Sequence, residues 1–334
     1  MACCRSRREV AWRRWLGRIA PEGCILPADW PMEFPASPVV SRLAPTPSGF
    51  LHLGNAVNFT LTWLLVRRAE GQLHLRIDDL DRARFRPAYL ENIFRTLEWL
   101  GLDYDHGPNG PDDFERHYSQ RYFLGHYKAA LQVAQATYPG LFYACRCSRT
   151  ELARLALLDG RYPGTCRPVQ LPIDATDVAW RAHVPEAAQI SFPDLGQGPM
   201  VVPLGQSLGD FVVRKKDGVA AYQVASVLDD VRLGTTLIVR GLDLLPSTAA
   251  QLWLGQYLPK AEGFQKTQFL HHGLLADEHG QKLSKSTQAG HQRGILAEAS
   301  GPQMVYAAVA RLLGLSSEAG ESLAKLQAEV QRLA

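Results

Sequence analysis

The sequence predicts an α/β fold in which a mainly parallel sheet is interrupted by a second module. Two stretches, 37–144 and 209–300, alternate short apolar runs with helical patterns, as βαβ units do. The stretch between them, 145–208, carries short strands, prolines and cysteines instead of long helices. We therefore divide the chain into an extension over 1–36, two halves of one sheet domain separated by an insertion, and a short helical end over 301–334.

The composition is that of an ordinary globular protein, with 46% hydrophobic and 21% charged residues among 334. No apolar run approaches the roughly 18 to 20 residues that span a bilayer, so no membrane segment is predicted. The formal net charge is +3, but six arginines against one glutamate give residues 1–20 a charge of +5 and leave −2 for the rest. Overall charge therefore does not predict nucleic-acid binding.

Residues 1–36 carry Arg, Trp and Pro without an apolar period, and we expect them to be disordered. Three interpretations stay open: an organelle-targeting peptide, a basic arm that touches nucleic acid, and an upstream extension before a true start at Met32. We favour the third. Six cysteines in so long a chain, without an apolar signal core, predict an intracellular protein. We expect it in the bacterial cytoplasm.

The first half begins with a strand that ends near Ala44 and a helix over 55–69 that Gly71 ends. A second buried strand over 73–77 ends where a group of acidic residues begins at Asp78. Polar residues just beyond the carboxyl end of a parallel strand mark the edge at which open α/β sheets bind ligands. The other elements predicted in this half are a helix over 87–100, a loop over 103–116 and a helix over 119–136.

The second half begins with a predicted hairpin that pairs 211–213 with 220–224, because Asp217-Gly218 suits a tight hairpin turn. A buried strand over 236–239 and a strand near Phe269 follow. The loop 277–286 comes next, and two helices are predicted over 301–333.

Residues 41–55, reading SRLAPTPSGFLHLGN, place a turn rich in small residues between the first strand and the first helix. A helix N-terminus presents backbone N–H groups and the positive end of the helix dipole, which suit a phosphate. The stretch matches neither G-x-G-x-x-G nor the P-loop. By itself, it is equally compatible with an ordinary strand-to-helix turn.

Two motifs together resemble the signature motifs of a known enzyme class. His52-Leu53-Gly54-Asn55 resembles the H-x-G-H motif of class I aminoacyl-tRNA synthetases, and KLSKS over 282–286 resembles their K-M-S-K-S loop. The stretches RLAPTPSG from Arg42, RIDDLD over 76–81 and IVRGLDL over 238–244 are similar to the glutamyl and glutaminyl branch. The resemblance covers about residues 38–300. It implies a Rossmann-like catalytic domain and a ligase that forms an ester bond through an aminoacyl-adenylate.

The resemblance implies an ATP site, with Mg²⁺ expected beside the phosphates. Its residues are His52, Gly54, Asn55, Lys282, Ser284 and Lys285. Adenylate formation builds negative charge on the α-phosphate and on the departing pyrophosphate, and we assign its stabilisation to His52, Asn55, Lys282 and Lys285. Taken singly, Lys282 and Lys285 are better explained as solvated surface charges, and the alternative for His52 is a capping or core histidine. The pairing of the two motifs reverses this preference.

An amino acid with one ammonium and two carboxylates needs partners of both signs. Arg42 and Arg240 suit carboxylates, and Asp78 suits the ammonium. The resemblance implies a glutamate pocket that comprises Arg42, Ala44, Thr46, Asp78, Tyr222 and Arg240. The alternative is a structural Arg–Asp salt bridge at the strand ends. Glutamate enzymes usually have Glu where Asp78 stands and glutamine enzymes have Asp, so the amino acid stays open, although Arg240 favours glutamate.

Three cysteines in the middle of the chain suggest a structural metal site. Cys145 and Cys147 are followed by Tyr162 and Cys166, which resembles the C-x-C…Y-x-x-x-C zinc pattern of this branch. Thiolates suit zinc, whereas a tyrosine ligand requires that the metal acidify the phenol. The alternative is three unrelated buried thiols.

Only 48 residues follow Ser286, which is too few for the anticodon-binding region of a full glutamyl-tRNA synthetase. This layout resembles the truncated paralogues of that enzyme, in which the second motif histidine is commonly a small polar residue such as Asn55. The resemblance implies a monomer that activates glutamate without tRNA and esterifies it to the queuosine base at the wobble position of tRNA(Asp). The alternatives are a compact glutamyl-tRNA synthetase that charges the tRNA 3′ end and an inactive paralogue that binds tRNA.

Overall fold

The computed structural model describes residues 38–155, 161–273 and 294–333. The predicted extension over 1–36 and the predicted ATP-binding residues Lys282, Ser284 and Lys285 lie outside the described part of the chain. The described residues form an α/β fold, as predicted. None of the described helices is long and apolar enough to cross a membrane.

A βαβ unit opens the described chain. Strand β1 (Val40–Leu43) and strand β2 (Gln72–Leu75) pair in parallel, with Val40 opposite Gln72. Helix α1 (Leu53–Arg68) connects them and is buried along most of its length. The rest of this half comprises α2 (Pro87–Trp99), short turns at Pro111–Asp113, Phe114–Tyr118 and Gln120–Phe123, and α3 (Leu124–Thr137).

The middle of the chain builds an antiparallel sheet and a hairpin. The antiparallel sheet has the order β3-β4-β7, formed by β3 (Phe142–Cys145), β4 (Ala179–Ala182) and β7 (Val212–Arg214). The hairpin consists of β5 (Ile190–Asp194) and β6 (Gly198–Val202). Two short helices, α4 (Arg149–Leu155) and α5 (Leu204–Ser207), complete this region.

Strands β8 (Leu237–Gly241) and β9 (Gln268–His272) pair in parallel, and the β5–β6 hairpin extends their sheet from β9. On the other side, the Thr236 N–H donates to the Val40 carbonyl oxygen at 2.8 Å, which joins the start of β8 to β1. The predicted boundaries of the insertion at 145 and 208 stay a prediction. Its β5–β6 hairpin pairs with a strand of the second half.

One predicted element is wrong. The hairpin partner expected over 220–224 is a single bridge between Arg214 and Ala220, after which helix α6 (Tyr222–Arg232) begins. The apolar residues Val224, Val227 and Leu228 are spaced for a helix and are buried on one face, and this burial decides the conformation. Tyr222, a residue of the predicted glutamate pocket, therefore lies in the first turn of α6.

Apolar side chains cover both faces of the β8–β9 sheet. Leu237 and Val239 point into a core formed with α1, α2 and the C-terminal helices, whereas Ile238 and Phe269 point into a second core with α3 and α6. This alternation is expected of strands buried on both faces. The remaining helices are α7 (Leu245–Gly255), α8 (Ile295–Glu298), α9 (Gln303–Leu312) and α10 (Leu323–Arg332), and the last two match the predicted helical end.

Candidate active site

Polar side chains from three strands converge at one edge of the sheet. Arg42 lies on β1, Asp78 follows β2, and Arg240 lies on β8. Strands β1 and β2 pair in parallel, and β8 runs beside β1 in the same direction, with Thr236 bonded to Val40 and Leu237 to Ser41. The carboxyl ends of the three strands therefore meet at this edge. The turn over 44–46 is tied to the same edge, because the Asp78 N–H donates to the Pro45 carbonyl oxygen at 2.9 Å. Ala44 is half-buried there and Thr46 is exposed.

Asp230 organises the cluster. Its Oδ1 accepts hydrogen bonds from Arg42 Nε and from Arg76 Nη1, both at 2.7 Å. Arg76 also holds Asp78, with Nε 2.8 Å from Oδ1 and Nη2 3.2 Å from Oδ2. All four residues are buried. Burial opposes a charge on Asp230, yet Arg42 and Arg76 lower the pKa of this carboxyl below its usual range. Burial raises the pKa of Asp78, even though Arg76 acts against the shift.

A second acid, Asp229, anchors the helices beside this cluster. Tyr127 donates to both of its carboxylate oxygens at 2.9 Å, and Gln120 Nε2 donates to Oδ2 at the same distance. The sequence reasoning missed Arg76, Gln120, Asp229 and Asp230. The adjacent acids at 229 and 230, inside an otherwise apolar helical pattern, were the available signal, because unpaired carboxylates are rarely buried.

Arg240 is a buried guanidinium that makes no ion pair with any described residue. Its Nη1 donates to Gln251 Oε1 at 2.8 Å and to Thr248 Oγ1 at 3.2 Å, and its Nη2 has no partner among the described residues. Burial lowers the pKa of Arg240 to about 10, although Tyr222 acts in the opposite direction. Tyr222 is exposed at the first turn of α6, whereas Arg42 and Arg240 are both buried.

The predicted phosphate-binding motif forms the N-terminus of α1. His52 is the capping residue: its Nδ1 accepts from the Gly54 N–H at 3.1 Å. Asn55 Oδ1 accepts from the His52 N–H at 3.1 Å and closes a capping box. A Cβ atom at position 54 would lie 3.0 Å from the His52 ring, so glycine at this position avoids a close contact with the ring. His52 and Asn55, the two polar residues of the motif, therefore both cap α1.

Both ends of the segment that contains Lys282, Ser284 and Lys285 lie beside the start of α1. At one end, His272 Nε2 lies 3.2 Å from Asn58 Nδ2 on α1, and Gly273 follows it. At the other end, the Ile295 N–H donates to the Leu51 carbonyl oxygen at 2.8 Å. The three residues themselves lie outside the described ranges. The described residues on either side of them, at 272–273 and 294–295, lie near the same helix end as His52.

The four predicted metal ligands come together. The Sγ atoms of Cys145, Cys147 and Cys166 lie within 4.8 Å of one another, and the Tyr162 oxygen is 3.5 Å from the first two. Sulfurs around a tetrahedral zinc lie about 3.8 Å apart, so this donor set fits the ion. Burial opposes the thiolate of Cys166, but hydrogen bonds from Tyr162 and its neighbours lower its pKa to about 7. Burial raises the pKa of Cys147 to about 11.

Comparison with known proteins places this geometry in context. Residues 38–333 match the family described as tRNA synthetases class I (E and Q), catalytic domain. A glutamyl-Q tRNA(Asp) synthetase of Symbiobacterium thermophilum is 41% identical over 289 residues, which cover 82% of this chain and 86% of the relative. A protein of the same name from Pseudomonas putida is 38% identical over 292 residues, covering 84% of this chain and 90% of the relative.

Two solved structures share the fold. A glutamate tRNA ligase of Elizabethkingia meningosepticum superposes with a TM-score of 0.67 at 22% identity, over 87% of this chain and 64% of that one. The glutamate-tRNA synthetase of Elizabethkingia anophelis gives a TM-score of 0.69 at 24% identity, over 87% of this chain and 65% of that one. This chain spans a little under two thirds of the length of each.

We predict that Asp230→Asn lowers the free energy of unfolding at pH 7 by about 3–5 kcal/mol, because two buried guanidiniums lose their shared carboxylate. Urea denaturation followed by circular dichroism measures the loss. The pKa of Asp230 is lowered in the folded state. The difference in unfolding free energy between the wild type and the variant is therefore complete above about pH 3.9, the pKa of an unfolded Asp, and declines as the pH falls further.

The matched control is Asp112→Asn, which removes an exposed carboxylate 3.6 Å from Arg116 and should cost at most about 1 kcal/mol. Equal losses in the two variants at pH 7 would contradict the central role of Asp230.

Proposed function

Because the chain belongs to the glutamyl-Q tRNA(Asp) synthetase family of class I synthetases, we propose that it activates L-glutamate with ATP in the absence of tRNA. It then transfers the glutamate to the queuosine base at the wobble position of tRNA(Asp). The observation that carries the proposal is Arg240, a buried cation without a carboxylate partner among the described residues.

The glutamate pocket is proposed at the carboxyl ends of β1 and β8. Arg42 is bonded to Asp230 through Nε alone among its described contacts, so its two terminal nitrogens remain for a carboxylate. Arg240 would take the other carboxylate. Asp78 would receive the ammonium, with Tyr222, Ala44 and Thr46 around the ligand. A glutamine amide would leave the charge of Arg240 uncompensated, and an uncompensated buried charge is costly, so the pocket favours glutamate.

The ATP phosphates are proposed at the N-terminus of α1. The glutamate α-carboxylate attacks the α-phosphorus and displaces pyrophosphate, so negative charge grows on phosphate oxygens. His52, Gly54 and Asn55 would meet these oxygens. We also assign Lys282, Ser284 and Lys285 to them, because the described residues on either side of these three lie near this helix end. The Asn55 side chain accepts with Oδ1 in the capping box and can donate with Nδ2. Mg²⁺ would arrive with ATP and neutralise part of the phosphate charge.

We assign a structural zinc ion to Cys145, Cys147, Tyr162 and Cys166. Bound zinc would supply the positive charge that keeps several close thiolates and a phenolate together. The Cys166 N–H donates to the Tyr162 oxygen at 2.8 Å, which orients the phenol toward the thiols. The Arg181 guanidinium lies 3.8 Å from the centre of the Tyr162 ring. Burial and hydrogen bonds with the three cysteines raise the pKa of this phenol, so bound zinc would have to acidify it. The ligands would hold β3 to the segment that follows α4.

We predict glutamate-dependent exchange of pyrophosphate into ATP without any tRNA. Arg240→Gln should raise the KM for glutamate about 100-fold, since the loss of one charge-assisted carboxylate contact corresponds to roughly 2–3 kcal/mol. Arg116→Gln, an exposed arginine on the turn after α2, is the matched control and should not change it. Exchange that requires tRNA, or that glutamine supports better than glutamate, would overturn the proposal.

We predict that the acceptor is queuosine and not the 3′ end. Purified tRNA(Asp) with queuosine should take up radiolabelled glutamate, whereas the same tRNA from cells unable to make queuosine should take up none. Equal labelling of the two would identify a compact glutamyl-tRNA synthetase. If both the exchange and the transfer are missing and tRNA binding remains, the inactive-paralogue alternative is correct.

We predict about one equivalent of zinc in protein purified without chelator, measured by elemental analysis. Cys147→Ser should lower the zinc content and the thermal midpoint together, because metal binding contributes to folding. The matched control is Ser191→Ala, at an exposed position of β5 remote in sequence from the cysteines, which should change neither quantity. Less than half an equivalent in the wild-type protein would exclude the site.

A further inference from the structure

A hydrogen-bond chain runs from the end of β5 to Arg240. It begins at Asp194, whose side chain is completely buried. Asp194 Oδ1 accepts from the backbone N–H groups of Gly196 and Gln197 at 2.9 Å and of His271 at 3.2 Å. Its Oδ2 lies 2.5 Å from His271 Nδ1. Backbone N–H groups thus fix the Asp194 carboxylate, and its Oδ2 is the acceptor that faces His271 Nδ1.

His271 transmits this orientation to Thr248. A carboxylate oxygen opposite Nδ1 requires a proton on Nδ1, so Nε2 of the neutral ring is an acceptor. Nε2 lies 2.8 Å from Thr248 Oγ1, and the hydroxyl donates in this contact in preference to the Leu244 carbonyl oxygen, which is 3.3 Å away. Burial lowers the pKa of His271 although Asp194 opposes the shift, and this favours the neutral ring. The threonine hydroxyl is left with its lone pairs for Arg240 Nη1, 3.2 Å away.

The arrangement of Asp, His and a hydroxyl is also that of a nucleophilic triad, but Thr248 and His271 are fully buried. A nucleophile must reach its substrate, so this chain serves another purpose. Its end point is Arg240 Nη1, which Gln251 Oε1 holds from a second direction at 2.8 Å. Two acceptors on one terminal nitrogen fix the plane of the guanidinium and therefore the direction of Nη2.

We propose that Asp194, His271 and Thr248 are positioning residues that fix the Arg240 guanidinium for recognition of a substrate carboxylate. The inference rests on the proposed function, because it assigns that carboxylate to glutamate. It adds three residues from β5, β9 and α7 to the specificity of the pocket. None of the three touches the ligand, and each acts through the next side chain toward Arg240.

The test is Thr248→Val, which keeps the shape of the side chain and removes the hydroxyl. The KM for glutamate in pyrophosphate exchange should rise about tenfold, in line with one lost hydrogen bond to a charged group. The KM for ATP and kcat should stay within twofold. Thr248→Ser should recover most of the affinity for glutamate. The matched control is Thr96→Val on α2, a buried threonine that bonds only the Asn92 carbonyl oxygen of its own helix.

A double-mutant cycle distinguishes positioning from general support of the fold. In an Arg240→Lys background, Thr248→Val should have no further effect on the KM for glutamate, because the guanidinium it positions is gone. Independent effects of the two substitutions, or an equal rise in the KM for ATP, would overturn the inference. Failure of the wild-type protein to exchange pyrophosphate with glutamate would instead overturn the proposed function.

Asp194→Asn provides a second variant if Thr248→Val does not fold. Asparagine keeps the oxygen that accepts the three backbone N–H groups and presents an amide donor to His271 Nδ1. The His271 ring must then carry its proton on Nε2 and donate to Thr248, which reverses the direction of the hydrogen bonds on both sides of the ring. Nitrogen-15 NMR of labelled histidine should detect the changed tautomer together with a higher KM for glutamate. An unchanged KM with the reversed tautomer would contradict the inference.

Discussion

The bond that the candidate site depends on most is the one that Asp230 makes with two arginines at once. Arg42 and Arg76 both donate to the same oxygen at 2.7 Å, and Arg76 continues to Asp78. Two guanidiniums and two carboxylates balance one another in this buried group. Arg240 then adds one positive charge without an ion-pair partner among the described residues. Free glutamate carries a net charge of −1 and would neutralise it, whereas glutamine carries none.

The sheet brings these charges to one place. Arg42 and Arg240 lie on adjacent parallel strands that are hydrogen-bonded at their start through Thr236 and Val40. Asp230 comes from α6, the helix that precedes β8, and bonds Arg42 and Arg76 at the same edge. This charged cluster is therefore assembled from elements distant in sequence, with apolar cores on both faces of the sheet. Such support limits the movement of the charged groups.

The sequence was informative where local pattern and motif coincide. The βαβ unit around α1, the C-terminal helices and the grouping of Cys145, Cys147 and Cys166 all follow from spacing and residue type. It was less informative about contacts between distant residues. The hairpin predicted over 220–224 is a helix because α6 buries one face against the core, and that burial depends on the rest of the fold. The chain through Asp194 and His271 joins residues 77 positions apart that no motif connects.

Asn55 illustrates how a site can lose a titratable residue and keep its geometry. A histidine at this position would offer a protonatable ring, whereas the asparagine closes a capping box with the His52 N–H at 3.1 Å. The box and the His52–Gly54 bond together fix the first turn of α1, at the positive end of its dipole. Electrostatic stabilisation of phosphate depends on donors held in place before the reaction. The capping bonds occupy the His52 and Gly54 N–H groups, but they hold Asn55 with its Nδ2 able to donate. Donation by this amide does not require ionisation, so asparagine at the fourth motif position is compatible with adenylate formation.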